Sequence, residues 1–349
     1  MKYNNLGNTD IKVSRICLGS MTWGEQNTPD QAHAQLDLAL DMGVNFIDTA
    51  EMYAVPSRQE TYGESERIIG NWLNKTGKRE HIIIATKVVG PCGDWMPHIR
   101  NAGTRLDRVN IRAAIEGSLN RLQTDYIDLY QTHWPERSTN YFGQLGYEHV
   151  QEPNLTSIEE TLGELTELVI EGKVRAIGVS NETPWGVMEY LYQSREKQLD
   201  RIVSIQNPYS LLNRSFEVGL AEIAMREQVG LLAYSPLGFG VLTGKYLDKT
   251  AATDARLNLP KFKRFTRYTN PVPVKATQLY AAVAQEHGLN FGQMSLAYVC
   301  QRPFLTSTVI GATTCEQLKE NIESDDLVLS DEVNKAIETV HKLHPNPAP

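Results

Sequence analysis

Short apolar runs alternate with segments of helical periodicity along almost the whole chain. The runs are apolar on both faces, which is typical of parallel strands covered by helices. The predicted strands are 16–19, 44–48, 82–86, 126–132, 174–179, 202–205, 230–234 and 306–310. The predicted helices are 30–42, 64–75, 108–122, 157–171, 184–197, 216–227, 274–286, 292–301, 314–322 and 331–342. Successive strand–helix units without a linker predict an α/β fold, a closed (β/α)8 TIM barrel, rather than two open sheets.

Residues 1–14 and several long connections lie outside this repeat. The first segment alternates polar and apolar residues around Gly7-Asn8, which predicts a hairpin capping one end of the barrel. The long connections are 54–61, 88–108, 134–155 and 236–272. Together these segments account for roughly 100 residues beyond a barrel of about 250. We therefore expect residues 1–349 to form a single barrel domain with an N-terminal β-hairpin and long βα loops.

Titratable side chains follow three consecutive predicted strands at the end where barrel chemistry occurs. Asp48 ends the second strand and Tyr53 lies just beyond it, Lys87 ends the third strand, and His133 follows the fourth. Each residue alone has an ordinary structural explanation, such as a turn cap, a loop contact or a packed imidazole. Because all four residues lie at the ends of neighbouring strands, the sequence favours a single catalytic site over four unrelated structural roles.

The chemistry of these residues suits proton transfer to a carbonyl oxygen. A tyrosine with a pKa near 10 is a weak proton donor at neutral pH, and a nearby ammonium lowers that pKa. We therefore expect Lys87, paired with Asp48, to lower the pKa of Tyr53, and His133 to orient the carbonyl. Because no nucleophilic Ser or Cys is evident, a hydride donor is the predicted missing partner.

Several segments resemble the aldo-keto reductase family. They are Gly43-Val-Asn-Phe-Ile-Asp-Thr-Ala-Glu-Met-Tyr53, Ile84-Ala-Thr-Lys87, Asp125-Tyr-Ile-Asp-Leu-Tyr-Gln-Thr-His133, Gly178-Val-Ser-Asn181, and Gly311-Ala-Thr-Thr314 with Gln317 and Asn321. The resemblance covers almost the whole chain and implies a catalytic tetrad of Asp48, Tyr53, Lys87 and His133. Within the family, segments 51–56, 133–137, 206–216 and 235–240 are similar to the bacterial Tas group.

A second tyrosine competes with Tyr53 for the role of proton donor. Many relatives run directly from the catalytic tyrosine into Gly-x-Ser-Glu. Here an inserted Ala-Val-Pro-Ser-Arg-Gln-Glu-Thr separates Tyr53 from Tyr62-Gly-Glu-Ser-Glu66. The spacing from Asp48 favours Tyr53, because geometry decides which group donates the proton, and Tyr62 is the alternative.

The resemblance also implies a nicotinamide cofactor across the barrel mouth, with NADP(H) favoured over NAD(H). At the nicotinamide end, the carboxamide is expected to contact Ser180, Asn181 and Gln206, and the ring is expected to stack on Tyr234. The pyrophosphate is expected to lie along Ser235, Pro236, Leu237 and Gly238, with Lys245. The adenosine end is expected to contact Gly311, Thr313, Gln317, Glu320 and Asn321, and a 2′-phosphate is expected to contact Lys245 and Arg256. Gly19, Ser20, Met21 and Asp48 complete the predicted cofactor set.

Composition narrows the possible partners. Lys plus Arg number 34 against 42 for Asp plus Glu, and this net charge of −8 argues against a nucleic-acid partner. No apolar run approaches the ~18 residues of a membrane span, and the N-terminus has no signal-like apolar region. The four cysteines form no CxxC pair, and no metal-ligand spacing is present. We expect a cytoplasmic enzyme without a metal, acting on a small carbonyl substrate; the sequence does not indicate an oligomeric state.

The long connections contain the aromatic residues expected in the substrate pocket. These are Trp95, Trp134, Tyr141, Phe142 and Phe239. Two other functions are compatible with the same motifs. One is an NADPH-binding redox sensor or regulatory subunit with slow turnover, and the other is an aldolase that forms a Schiff base on Lys87.

Overall fold

Parallel strands close into a barrel whose order follows the chain. The computed structural model describes residues 1–247, 253, 255–263 and 265–349. The barrel strands are β3 (Ile16–Gly19), β4 (Phe46–Asp48), β5 (Ile83–Val88), β6 (Ile127–Thr132), β7 (Val174–Ser180), β8 (Ile202–Pro208), β9 (Gly230–Tyr234) and β10 (Leu305–Ile310). Each strand pairs with the next, and β10 pairs with β3 to close the ring. The predicted (β/α)8 TIM barrel is confirmed.

Helices cover the outside of the barrel. They are α1 (Pro29–Asp41), α2 (Glu64–Thr76), α3 (Arg108–Leu122), α4 (Ile158–Ile170), α5 (Pro184–Lys197), α6 (Leu220–Glu227), α7 (Pro271–Glu286), α8 (Phe291–Cys300), α9 (Cys315–Glu323) and α10 (Asp331–Leu343). Side-chain caps start many of them: Thr28 forms a capping box with Gln31, and Asp107 and Ser157 each accept a hydrogen bond from a main-chain N–H of the first turn.

The predicted N-terminal hairpin is present and closes the barrel floor. It consists of β1 (Tyr3–Asn5) and β2 (Lys12–Ser14), which pair antiparallel. Leu6, Ile11 and Val13 are buried beside residues from the lower barrel interior, among them Phe46 and Val203. The floor is therefore filled with apolar side chains, as in other closed barrels of this size.

The long connections gather at the opposite end, above the strands' carboxyl termini. Loop 88–108 contains the 3₁₀ turns Gly93–Trp95 and Arg100–Ala102. Loop 236–272 contains the 3₁₀ segments Gly238–Thr243, Arg256–Asn258 and Pro260–Phe262. Residues 248–252, 254 and 264 of that loop lie outside the described residues.

Candidate active site

The ends of three adjacent strands bring the predicted tetrad into one region. Asp48 is the last residue of β4, Lys87 lies near the end of β5, and His133 directly follows β6. Parallel pairing sets Asp48 beside Ala85 and Lys87 beside Gln131, so the functional side chains project from neighbouring strands at similar height. Tyr53 extends from the loop after β4.

A buried ion pair forms the base of the site. The Nζ of Lys87 lies 2.7 Å from Oδ2 of Asp48 and donates a second hydrogen bond to the carbonyl oxygen of Thr49 at 2.7 Å. The Nε2 of Gln206 donates to the other oxygen of Asp48, also at 2.7 Å. Because both carboxylate oxygens and the ammonium have partners, this pair is held in a fixed geometry despite its complete burial.

Tyr53 packs over this ion pair and faces the cavity. The Nζ of Lys87 lies 5.0 Å from the centre of the Tyr53 ring, and the His133 ring lies 5.7 Å from it, edge to face. Burial, followed by the charge of Asp48, raises the pKa of Tyr53 well above its ordinary value. The predicted net lowering of this pKa is therefore wrong, because burial and the charge of Asp48 outweigh any effect of the Lys87 ammonium.

His133 is held as a neutral imidazole. Burial, and then the positive charge of Lys87, lowers the pKa of His133 well below its ordinary value. Its main-chain N–H donates to the carbonyl of Val88 at 2.8 Å. Within the described part of the chain, its Nδ1 has no hydrogen-bond partner. A neutral ring beside Tyr53 can donate one hydrogen bond to a ligand oxygen.

Tyr62, the alternative proton donor, is turned away from this site. Its hydroxyl donates to Oε2 of Glu51 at 3.1 Å, and the guanidinium of Arg121 lies over its ring at 5.2 Å. Tyr53 lines the main cavity, whereas Tyr62 is absent from the cavity wall formed by the described residues. The geometry thus favours Tyr53 over Tyr62.

One large cavity of about 1860 Å³ opens above the tetrad. Drug-sized ligand pockets are typically about 300–1,000 Å³, so this cavity has room for more than one small ligand or for one long ligand. The predicted residues that line it are Gly19, Met21, Asp48, Tyr53, His133, Ser180, Asn181, Gln206, Tyr234, Ser235, Pro236, Leu237, Lys245, Arg256, Gly311, Thr313, Gln317, Glu320 and Asn321.

Three predicted residues lie behind the cavity wall rather than on it: Ser20, Lys87 and Gly238. Ser20 is fully buried, and its hydroxyl donates to the carbonyl of Asp48. Lys87 is also fully buried, which removes it from direct contact with a ligand in this structure. Of the predicted pocket aromatics, Trp95, Phe142 and Phe239 line the cavity, while Trp134 packs beneath Trp95 and Tyr141 lies outside the wall.

The residues predicted to hold a carboxamide form an interlocked polar set. The hydroxyl of Tyr234 donates to the amide oxygen of Asn181 at 2.7 Å, and the Asn181 amide nitrogen donates to the carbonyl of His133 at 2.9 Å. Ser180 donates to the main-chain carbonyl of Gln206 at 2.8 Å. Among the described residues, none donates a hydrogen bond to the side-chain oxygen of Gln206, which can accept one from a ligand amide.

The far end of the cavity suits phosphate and ribose groups. Residues 311–314 line it at the N-terminus of α9, where the helix dipole favours anions. The N–H groups of Thr313 and Gln317 donate to side chains within this turn. The guanidinium of Arg256 stacks near the rings of Phe239 and Phe262, at 5.1 Å and 5.8 Å from their centres. Amide groups near the tetrad and anion-binding groups far from it match the two ends of a nicotinamide dinucleotide.

A carboxylate links three loops at the cavity rim. Glu25, in the loop after β3, forms ion pairs with Arg58 of loop 54–61 and with Lys261 of loop 236–272, whose Nζ lies 2.8 Å from Oε2. We call Glu25, Arg58 and Lys261 the rim clasp. Burial is the largest single influence on the pKa of Glu25 and raises it, but the hydrogen bonds and charges of Lys261 and Arg58 together outweigh it, so the pKa is lowered.

Sequence reasoning missed a second buried ion pair next to the site. Glu51 is fully buried and accepts two hydrogen bonds from Arg100, at 2.7 Å and 2.8 Å, and one from the main-chain N–H of Val89 at 2.8 Å. This pair ties loop 88–108 to the loop that carries Tyr53. The sequence gives little indication of the Glu51–Arg100 pair: Glu51 is visible as a carboxylate within the Asp48–Tyr53 segment, but Arg100 lies in a loop without periodicity.

The sequence profile of the Aldo/keto reductase family matches residues 15–342. The chain belongs to the aldo/keto reductase family. It is 54% identical to "Protein tas" of Escherichia coli over the full length of both chains. It is 32% identical to "Uncharacterized oxidoreductase YrpG" of Bacillus subtilis, over 97% of this chain and 96% of that one. It is 31% identical to "NADH-specific methylglyoxal reductase" of Escherichia coli, over 95% of each chain.

Aldo/keto reductases reduce small carbonyl compounds with nicotinamide cofactors, and the resemblance found in the sequence is confirmed at the level of the family. One of these relatives is named as a reductase of a specific substrate and another as an uncharacterised oxidoreductase, so they leave the substrate and the cofactor of this chain open. In the described part of the chain, the helices are too short or too polar to cross a membrane. The same residues contain no group of three or more His, Cys, Asp or Glu side chains arranged to hold a metal ion.

Proposed function

We propose that this chain is an NADP(H)-dependent reductase that converts aldehyde or ketone carbonyls to alcohols, with Tyr53 as the proton donor. The observation that carries the proposal is the placement of Tyr53 and His133 together on the cavity wall, directly over the buried Lys87–Asp48 pair. In this proposal a bound nicotinamide supplies the hydride.

The neutral imidazole of His133 positions the substrate. A ring that carries a single N–H can donate it to a carbonyl oxygen without adding a charge to the pocket. The two rings lie edge to face at 5.7 Å and both line the cavity, so one substrate oxygen bound between them is proposed to meet both groups. Both groups then act on the same oxygen.

Tyr53 donates its proton as negative charge develops on that oxygen. An alkoxide is a much stronger base than a phenolate, so a tyrosine with a raised pKa remains an adequate acid for this step. The nearby ammonium of Lys87 stabilises the phenolate that remains, and Asp48 keeps that ammonium charged and in place. Lys87 is thus a positioning and electrostatic residue, and its burial disfavours the Schiff-base alternative.

The preference for NADP(H) rests on Arg256 and Lys245, which line the cavity and suit a 2′-phosphate. Gln206 and Ser180 are proposed to meet the carboxamide, Tyr234 the ring, and Thr313 the adenosine end. The interlocked bonds of Asn181 assign it a different part: it supports Tyr234 and His133 from behind.

Steady-state consumption of NADPH with a panel of aldehydes and ketones tests the proposal. We expect repeated turnover by the wild-type protein and a loss of at least about 100-fold in kcat for Tyr53→Phe, the size of a typical general-acid contribution. Tyr62→Phe is the matched control and should retain carbonyl reduction. Loss in Tyr62→Phe with activity in Tyr53→Phe would transfer the role to Tyr62, and one slow turnover with tightly held NADPH would favour a redox sensor.

A further inference from the structure

Four arginines in the described part of the chain have no carboxylate oxygen within 4.0 Å: Arg201, Arg256, Arg267 and Arg302. Two of them are far from the cavity, where Arg201 donates to the carbonyl of Glu227 and Arg302 is close to the ring of Tyr298. The other two, Arg256 and Arg267, both line the cavity. Two guanidinium groups therefore line the cavity without a carboxylate within ion-pair distance.

One of these charges is already assigned to the cofactor in the proposed function. Arg256 lies beside the rings of Phe239 and Phe262 and is proposed above to meet a 2′-phosphate. Arg267 is surrounded differently. Its guanidinium lies 5.9 Å from the ring of Tyr268. A Cβ placed on Gly143 would be 2.5 Å from its Nη2, 2.7 Å from its Nε and 2.7 Å from a main-chain oxygen of Pro349, so this oxygen is a further neighbour of the guanidinium.

The surroundings of Arg267 lie near the end of the cavity that holds the tetrad, between Tyr234 and an aromatic wall. Its charge acts on the neighbouring hydroxyl of Tyr234, which donates a hydrogen bond to Asn181. Gly143 follows Phe142, whose ring packs against Trp95 at 6.1 Å. Arg267 is therefore close to one aromatic wall of the cavity and to the polar set behind the tetrad.

We infer that Arg267 binds a carboxylate on the substrate, so that the preferred substrates are aldehydes or ketones with an apolar or aromatic body and an acidic group. The inference rests on the proposed reductase function. A guanidinium presents a planar fork of donors that matches a carboxylate. The bare Cα of Gly143 leaves the space in which the guanidinium lies, and the walls of Trp95 and Phe142 suit the apolar body of the substrate.

Two aromatic aldehydes of similar reactivity, one with a carboxylate and one without, distinguish carboxylate binding by Arg267 from general carbonyl reduction. The probes are 4-carboxybenzaldehyde and its uncharged methyl ester, each reduced with NADPH by the wild-type protein and by Arg267→Gln. Arg302→Gln is the matched control, because it also removes a guanidinium that lacks a carboxylate partner but lies outside the cavity wall. The dissociation constant of NADPH is measured for every variant by fluorescence.

We expect wild-type kcat/KM to be at least about tenfold higher for the acid than for the ester, because a hydrogen-bonded charge pair stabilises bound acid by about that factor. Arg267→Gln should bring the ratio of the two values close to one, chiefly through a higher KM for the acid. Arg302→Gln should keep the wild-type ratio. Gly143→Ala should lower the ratio as well, because its methyl group would displace the guanidinium.

Three results would overturn the inference, and they differ from failure of the proposed function. Equal kcat/KM for acid and ester in the wild-type protein would remove the acidic substrate class while leaving the reductase intact. A higher dissociation constant for NADPH in Arg267→Gln, with an unchanged ratio of kcat/KM for acid and ester, would assign Arg267 to the cofactor. An unchanged ratio in both Arg267→Gln and Gly143→Ala would also reject it. Absence of reduction of every carbonyl tested would instead contradict the proposed function.

Discussion

At the scale of single residues, the four tetrad side chains differ in charge. The Lys87–Asp48 pair is charged and buried, while His133 and Tyr53 are both kept neutral by burial. The positive charge is thus placed behind the proton donor rather than on the wall that meets the ligand. Such an arrangement favours charge that appears only during the reaction.

The neutral state of His133 has a direct consequence for pH dependence. Its pKa is lowered well below 6.5, so the ring stays uncharged above that value and does not titrate near neutrality. Tyr53 has a raised pKa and stays protonated there. We expect kcat/KM for an uncharged aldehyde to be constant across about pH 6 to 8 and to fall only in strongly alkaline solution, where Tyr53 loses its proton. A step in the profile near pH 6.5 would contradict a neutral His133.

Arg256 provides a prediction for the choice of cofactor. Arg256→Gln removes a charge proposed to meet the 2′-phosphate, so the dissociation constant of NADPH should rise about tenfold or more. That of NADH should change little, because NADH lacks this phosphate. Fluorescence titration with both cofactors measures the effect, and a parallel weakening of NADH would place Arg256 elsewhere on the ligand.

At the scale of elements, strands and helices were predictable, while the loops were not. Strands 16–19 and 230–234 and helices 108–122 and 184–197 were predicted with the observed boundaries. Their periodicity and caps are local properties of the sequence. The predicted helix 216–227 was wrong in part: the structure has a 3₁₀ turn at Ser215–Glu217 and then α6, because Gly219 adopts a φ of 101° that a helix cannot contain.

The same limit applies to the site. The gathering of Asp48, Lys87 and His133 at one end of the barrel was predictable because these residues follow periodic strands, whereas the positions of Arg100 and Arg267 depend on irregular loops folding back over the barrel. The pKa of Tyr53 was predicted in the wrong direction, because the sequence does not reveal how deeply the Tyr53 hydroxyl is buried beside the Asp48 charge.

The buried Glu51–Arg100 pair should contribute strongly to stability. Arg100→Met would leave the fully buried Glu51 carboxylate without its cation, which costs about 3–5 kcal/mol of unfolding free energy. Arg226→Met is the control, since its pair with Glu222 is exposed and should contribute less than about 1 kcal/mol. Urea unfolding measures both variants, and a loss in Arg100→Met no larger than in Arg226→Met would contradict a structural role for the pair.

At the scale of the whole molecule, the hairpin and the barrel depend on one close contact. A Cβ on Gly7 would overlap the carbonyl of Val203 and lie 2.9 Å from that of Gln228, at the start of two barrel strands. Gly7 therefore allows β1 and β2 to close the floor, and the chemistry at the mouth is separated from the seal at the opposite end.

Two glycine variants isolate that contact. Gly7 has a φ of 59° and Gly77 a φ of 66°, so an alanine at either position incurs a similar backbone cost of about 1–2 kcal/mol. Only Gly7→Ala adds the clash, since a Cβ on Gly77 meets nothing within 4 Å. We expect Gly7→Ala to unfold at a clearly lower urea concentration than Gly77→Ala, and equal midpoints would show that the hairpin can move away from the floor.

We expect the rim clasp to lengthen the time for which a large ligand stays bound. Glu25 joins loop 54–61 to loop 236–272 at the cavity rim, so a dinucleotide bound beneath these loops would leave only after an ion pair opens. Salt screens partly exposed charges, and the residence time of the cofactor should therefore shorten as ionic strength rises. Stopped-flow displacement would detect this change, and Glu25→Gln should give a shorter residence time that depends less steeply on salt, since only the phosphate contacts would remain to be screened. The rim clasp would then control the release of the cofactor without taking part in hydride transfer.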